Sequence, residues 1–195
     1  ANSGFRSWLY LTILGLEGAN QGPGNLAPQG AIVKQSAVEP EAMCMTGKAK
    51  VFGVSVKDRG AVSMAGHTGT AYWFSKASGE FVSSSYYMDR YPDWVNAFNA
   101  AGHPRRYAGT HWTLLHDQAD YQYGDADDRP WETDVGGFGR VFPHAYGDGG
   151  SPYFTTWLTL SPAGDELVLD FAKDLITSEK IGFLPPQRTR AMAGW

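Results

Sequence analysis

Lys50-Val51-Phe52-Gly53-Val54-Ser55-Val56-Lys57-Asp58-Arg59-Gly60-Ala61-Val62, residues 50–62, carries the sharpest change of chemistry in the chain. Its first half is apolar and rich in β-branched residues, the composition of a buried strand. Lys57 and Arg59 end that run, and Gly60 with the helix-compatible Ala61-Val62-Ser63-Met64-Ala65 follows at once. The stretch predicts a strand over 49–56 that hands over to a short helix from about Gly60 to Ala65. In an α/β sheet, ligands bind in the crevice beyond the carboxyl ends of the strands. Two cations delivered to that rim beside a helix start are suited to an anion, with phosphate the first candidate. The competing reading is two solvated charges ending a strand, and the pattern alone leaves both open.

The rest of the composition narrows the class. The 195 residues are 43% hydrophobic, 14% aromatic and 18% charged, with 24 Gly and 11 Pro. That is a globular, loop-rich chain and not a disordered one. Sixteen Lys and Arg against 20 Asp and Glu give a net charge of −4. No basic face emerges, which argues against nucleic acid as a partner. Cys44 is the single cysteine, so a disulfide within the chain and a Cys-rich zinc site are both excluded. No segment is long enough to span a bilayer as a helix. The apolar run Trp8–Leu16 reads either as the remnant of a signal sequence or as a core strand or helix.

Downstream, the expected elements alternate. Residues 17–30 read as loop, around Gly22-Pro23-Gly24-Asn25, and residues 31–48 have no clear period. Thr70–Phe74 and Glu80–Tyr86 are β-rich and are separated by Lys76-Ala77-Ser78-Gly79, a hairpin turn. Tyr91–Asn99 predicts a helix with Pro92 in its first turn and Trp94, Val95 and Phe98 on one face. Residues 102–150 are irregular, aromatic and acidic, the mark of a cap-like insertion. Tyr153–Leu160 reads as a strand or extended arm. Ser161 and Pro162 then open the clearest helix, with Leu167, Val168, Phe171, Leu175 and Ile176 on one face and Gly182 closing it. The tail from Phe183 loses all periodicity, and no strand follows for the helix to pack on. That pattern points to a piece of a larger unit.

Other constellations are weaker. His103, His111, His116 and His144 lie in the irregular region among Asp117, Asp120, Asp125, Asp127, Asp128 and Asp134, without any spacing that marks a zinc or calcium site. A polar surface loop accounts for them. Trp112, Tyr121, Tyr123, Trp131, Phe138, Phe142 and Tyr146 suit either the stacking of sugars or bases or the fastening of a long loop to its own domain. There is no Gly-x-Ser-x-Gly nucleophile elbow, and Gly66-His67-Thr68-Gly69 reads as a turn after a helix.

Lys57-Asp58-Arg59-Gly60-Ala61-Val62-Ser63-Met64-Ala65-Gly66 resembles the phosphate-contacting segment of the alkaline phosphatase superfamily. It is most similar to the bacterial monoesterases with a threonine nucleophile, which are akin to type I phosphodiesterases and nucleotide pyrophosphatases. The resemblance continues through Ala71–Phe74, Gly79–Val82, Ser84–Tyr87, Pro92–Val95, Phe142-Pro143-His144 and Ser151–Gly182, so that residues 49–182 are covered. Asn25-Leu26 echoes an Asn-Leu found before this strand in the family. The fold it implies is a partial, layered α/β domain with the irregular cap at about 102–150, flanked by a poorly defined segment 1–48 and a divergent tail 183–195.

By the same resemblance, Lys57 and Arg59 are the catalytic and substrate-binding pair, contacting the phosphoryl group at a centre of two zinc ions. The implied substrates are small phosphate monoesters, and the implied location is periplasmic or secreted. The family's nucleophile and first metal-binding aspartate precede its Lys-x-Arg segment, and its other ligands follow the helix that ends near Gly182. Neither set is found here, so no metal ligand or nucleophile is assigned and the chain reads as an incomplete internal portion. The alternatives are a non-catalytic glycan- or protein-binding module, or a fragment of a nucleotide pyrophosphatase or phosphodiesterase.

Overall fold

The computed structural model describes residues 10–16 and 49–181. The loop expected at 17–30, the segment at 31–48, Asn25-Leu26, Cys44, Gly182 and the tail 183–195 lie outside the described residues.

Four strands form one mixed sheet in the order β1-β2-β3-β4: β1 (Tyr10–Leu16), β2 (Ala49–Ser55), β3 (Thr70–Ser75) and β4 (Glu80–Val82). The run at 8–16 is therefore a strand over its latter part, antiparallel to β2 with Tyr10 opposite Ser55 and Leu16 opposite Ala49. β2 and β3 are parallel and joined by α1 (Asp58–Ala65), while β3 and β4 make the expected hairpin across residues 76–79. Gly79 turns it with φ +72°. β4 ends at Val82, four residues earlier than the sequence predicts. Ser83 leaves the ladder because its hydroxyl donates to Ala71 O (2.6 Å) and its N–H donates to the Tyr91 hydroxyl (3.2 Å).

The apolar run of β2 is continuous because helices cover both of its faces. Phe52, Val54 and Val56, with Tyr72 and Phe74 of β3, face a core built from α2 (Asp93–Ala100), α3 (Phe154–Thr159) and α4 (Pro162–Ser178). On the other face, Ala61 and Ala65 of α1 lie against Ala71 in a smaller cluster flanked by Trp73 and Tyr87. Phe171 of α4 is the hub of the larger core. Its ring stacks on Phe81 at 4.2 Å and meets Tyr72, Trp94 and Phe98 at 5.1–5.2 Å. The outer edge of β4 is closed by Asn99, whose side-chain amide accepts from Phe81 N–H and donates to Phe81 O, both at 2.9 Å. A side chain thus stands in for the next strand and satisfies an edge that would otherwise be open.

Three local expectations are corrected. Tyr153–Leu160 is not extended: residues 154–159 are helical, with Phe154 and Leu158, one turn apart, buried in the core. That docking outweighs a run of Thr and aromatic residues whose intrinsic preference is for strands. Ser161 stands at the N-cap of α4, yet its hydroxyl donates to Leu158 O (3.0 Å) and accepts from the Tyr146 hydroxyl (2.8 Å) instead of capping a helix amide. The closure of α4 falls before Gly182. Lys180 takes the left-handed conformation at φ 55°, with Lys180 N–H donating to Thr177 O and Ile181 N–H to Ile176 O.

The paired bonds at that end form a Schellman closure, in which the left-handed position is ordinarily glycine. Lys180 is exposed and holds it with a side chain that the conformation disfavours. Lys180→Gly is therefore expected to stabilise the chain by about 0.5–1 kcal/mol, read as a higher urea midpoint at unchanged m-value. An unchanged or lowered midpoint would show that the left-handed strain is negligible there.

The irregular region contains two short 3₁₀ turns (His103–Tyr107 and Gln118–Asp120) and a two-stranded ladder of β5 (His111–Trp112) with β6 (His144–Ala145). Its aromatic residues bind it to the helical layer: Phe138 stacks on Trp157 at 5.6 Å, and Trp157 Nε1–H donates to Val135 O. Trp112, Phe138, Phe142 and His144 pack on one another. Tyr107 and Arg106 reach Glu166 and Asp170 of α4 at 2.6 Å each. Fastening of the loop to its own domain, the plainer of the two readings, accounts for Trp112, Phe138, Phe142 and Tyr146, whereas Tyr121, Tyr123 and Trp131 are exposed.

Candidate functional site

The site begins where β2 ends. Ser55, fully buried, turns its hydroxyl to accept the Lys57 N–H at 3.1 Å. Lys57 keeps extended dihedrals (φ −118°, ψ 134°) as the residue before α1, and its carbonyl accepts from Gly60 and Ala61 N–H. The helix begins at Asp58, two residues earlier than the sequence predicts, so Arg59 lies inside its first turn. Both cations thus stand at the N-terminal end of α1, where the helix dipole is positive.

α4 strengthens that end of the sheet. A Cβ built on Gly164, in its first turn, would lie 3.4 Å from Val56 Cγ2, whereas at the opposite end Lys50 Nζ donates to Glu179 O at 3.3 Å. α4 therefore runs against β2 and brings its own N-terminus to the strand's carboxyl end. Two helix N-termini and two cationic side chains gather at one rim, an arrangement that favours negative charge.

Within the rim the two cations differ. Lys57 is half-exposed and its ammonium pairs with Asp58 Oδ1 at 3.1 Å. The Lys57 ammonium beside it holds the Asp58 carboxyl below its ordinary range, against a smaller opposing effect of burial. Arg59 is exposed, and among the described residues its guanidinium makes no ion pair. The pair stands on an open rim: the small cleft lined by Phe74, Phe81, Phe98 and Leu167, with room for about one water, is formed by other elements.

The histidines and aspartates singled out in the irregular region do not converge. Among the described residues, no three His, Cys, Asp or Glu side chains come together as a metal would require. Their partners are structural: Asp127 Oδ2 accepts from Phe142 N–H, Asp134 Oδ1 from Gly139 N–H, and Asp125 and Asp128 pair with Arg129 and Arg140. His144 is buried with Nδ1 3.0 Å from Phe138 O, and the His103 ring stacks on Phe98 at 4.1 Å. The described residues therefore do not fit a two-metal centre by themselves. Gly66–Thr68 form the expected turn, with the His67 ring 3.2 Å from the Tyr86 hydroxyl. The sequence reading missed Ser55, Asp58 and the N-terminus of α4. The small residues at 163–164 were the only hint that α4 approaches the sheet closely.

Fold and rim together define an α/β protein with a cationic edge at the carboxyl end of a buried strand. No protein-family profile matches the chain. Alkaline phosphatase PhoV of Synechococcus elongatus is 34% identical over 167 residues, 85% of this chain and 30% of PhoV. A protein of Myroides odoratus named as a calcium-transporting ATPase is 34% identical over 148 residues, 75% of this chain and 27% of its own length. The crystal structure of an alkaline phosphatase PafA variant matches with a TM-score of 0.60 at 31% identity, covering 69% of this chain and 26% of PafA. That variant carries a serine in place of a threonine, and alanines in place of an asparagine and of a lysine and an arginine with one residue between them.

The chain belongs to the alkaline phosphatase superfamily, as the likeness to PhoV and PafA shows in both sequence and fold. It spans about 25–30% of the length of the relatives it matches.

Proposed function

We propose that residues 49–182 are an internal portion of a zinc-dependent phosphate monoester hydrolase in which Lys57 and Arg59 contact the phosphoryl group. The observation that carries this reading is the placement of both cations at the N-terminal end of α1, at the rim to which α4 also brings its N-terminus. The Lys-x-Arg spacing among the positions replaced in the similar PafA variant supports the same pair. That the chain covers only 26–30% of these relatives supports a portion of a longer protein.

Arg59 presents a planar fork that suits two non-bridging phosphoryl oxygens, and Lys57 adds a compact charge. A monoester dianion carries more charge on those oxygens than a diester does, so two cations favour the monoester. Held in place before reaction, both groups would orient the phosphoryl group and offset charge that grows in the transition state. By the resemblance, the nucleophile and the ligands of the two zinc ions are placed outside the chain. When bound, such ions supply Lewis-acid charge at the attacking and leaving oxygens. A periplasmic or secreted location follows from the resemblance. Among the described residues, no helix is long and apolar enough to cross a membrane.

The test is a titration of the 195-residue chain with inorganic phosphate at low ionic strength, followed by NMR. Weak binding is expected, and Lys57→Ala with Arg59→Ala should weaken it by about 10-fold or more, since each lost charged hydrogen bond is worth ~1.5–3 kcal/mol. Affinity indifferent to the double substitution would remove the pair from the site. With p-nitrophenyl phosphate and added zinc, no turnover is expected from the chain alone. Turnover there would overturn the placing of nucleophile and metals outside it.

A further inference from the structure

We infer that Asp58 is a positioning residue of the phosphate rim: its carboxylate holds the Lys57 ammonium and yields it to an incoming phosphate. The inference rests on the proposed role of Lys57 and Arg59 and adds a residue to it.

The geometry is specific to this residue. Ser55 fixes the Lys57 backbone by accepting its N–H at 3.1 Å, so the side chain of Lys57 leaves the sheet from a set point. Asp58 Oδ1, shielded from water and without a hydrogen-bond partner, stands 3.1 Å from the Lys57 ammonium as an ion pair. Arg59, the next residue, has no such carboxylate among the described residues. Among the described residues the two cations are therefore not equivalent: Arg59 forms no ion pair, and Lys57 meets an anion only in exchange for Asp58.

The exchange balances in charge. Among the described residues one cation of the rim is paired and the other is not, and phosphate replaces the carboxylate partner of Lys57 with phosphoryl oxygens. Both Lys57 and Asp58 are half-exposed, so the ion pair is a weak competitor. A weak competitor lowers phosphate affinity slightly. It also keeps the ammonium at the rim instead of trailing into solvent, and it lets go when a dianion arrives. The outcome is selectivity for the more highly charged ligand over singly charged anions.

Inorganic phosphate titrations of the 195-residue chain test this, with chemical shifts of residues 55–62 as the readout and far-UV circular dichroism confirming the fold of each variant. Asp58→Asn is expected to bind phosphate about 2- to 5-fold more tightly, the range spanned by an exposed ion pair. Asp58→Glu, which restores the carboxylate, should return towards the parent affinity. If Asp58→Asn does not fold, Asp58→Ser serves instead, since it keeps an oxygen acceptor at the helix start without the charge.

In a Lys57→Ala background the gain should vanish. Unchanged or weaker binding in Asp58→Asn overturns the inference, as does a gain of equal size without Lys57, which would show a diffuse field effect. Phosphate binding that fails in every variant, or that ignores Lys57→Ala with Arg59→Ala, overturns the reading of the rim itself. Binding that needs the two cations but is indifferent to Asp58 leaves that reading standing and removes Asp58 alone.

Discussion

Phe171→Ala is expected to cost about 3–5 kcal/mol and to be the most damaging truncation in the chain. Phe171 is fully buried, and its ring touches four other aromatic rings contributed by β3, β4 and α2. Removing it takes away the transfer energy of the ring and opens a cavity. Its rigid aromatic neighbours fill such a space poorly, because each is held in place by its own contacts. Tyr72 is one example: its hydroxyl reaches Met88 Sδ, and burial raises its pKa above the ordinary phenol range. At about 2–4 °C per kcal/mol for a chain of this size, the midpoint of thermal unfolding should fall by roughly 6–20 °C. Phe171→Leu, which keeps most of the volume, should lose well under half as much. A loss below about 1 kcal/mol for the alanine variant would mean that α4 is not docked on the sheet through this residue.

The legible and illegible parts of this fold divide along one physical line. β2, the 76–79 turn, α2 and the start of α4 were readable because local chemistry and tertiary demand agree there: an apolar run is buried, Gly79 turns, Pro92 and Pro162 open helices. Where the two disagree, reading failed. Residues 154–159 have the side chains of a strand and are helical because Phe154 and Leu158 dock one turn apart. Lys180 holds a conformation usually given to glycine, so the closure was sought two residues too late. Trp8–Leu16 could not be resolved from its own residues, because a strand is defined by its partner and that partner, β2, is contributed by residues 49–55.

The rim was legible in the same partial way. Lys57 and Arg59 stand at a strand end in the sequence itself, and the structure keeps them there. The contribution of α4 was not readable, since its first turn follows Val56 by more than 100 residues and only packing brings the two together. The pairing of Asp58 with Lys57 was also hidden: neighbours in sequence need not face each other, and here the turn fixed by Ser55 decides that they do.

Gly53→Ala should be the substitution that couples fold to site most directly. A Cβ at position 53 would run into Ala61 O and lie 2.9 Å from Ala65 N, inside the backbone of α1. No side-chain rotation can relieve a clash with backbone atoms, so strand and helix must separate by about 1 Å or more to reach ordinary contact. Gly in the middle of a strand is the sequence mark of such close approach. The strain of separating them, together with the loosened Ala61–Ala65–Ala71 cluster, is expected to cost about 2–4 kcal/mol, at or above the usual range for overpacking. Asp58 and Arg59 ride on α1, and Lys57 is its first neighbour, so the shift moves the cationic rim relative to the end of β2 and to the N-terminus of α4. Phosphate binding should therefore fall with stability, although position 53 touches no ligand. Gly137→Ala is the natural control for a glycine in open space, having nothing within 4 Å of its Cβ but a φ of +81° that an alanine resists. It should lose about 1 kcal/mol through backbone strain alone and leave the phosphate titration unchanged. If Gly53→Ala keeps parental phosphate affinity while Gly137→Ala loses it, α1 does not carry the site.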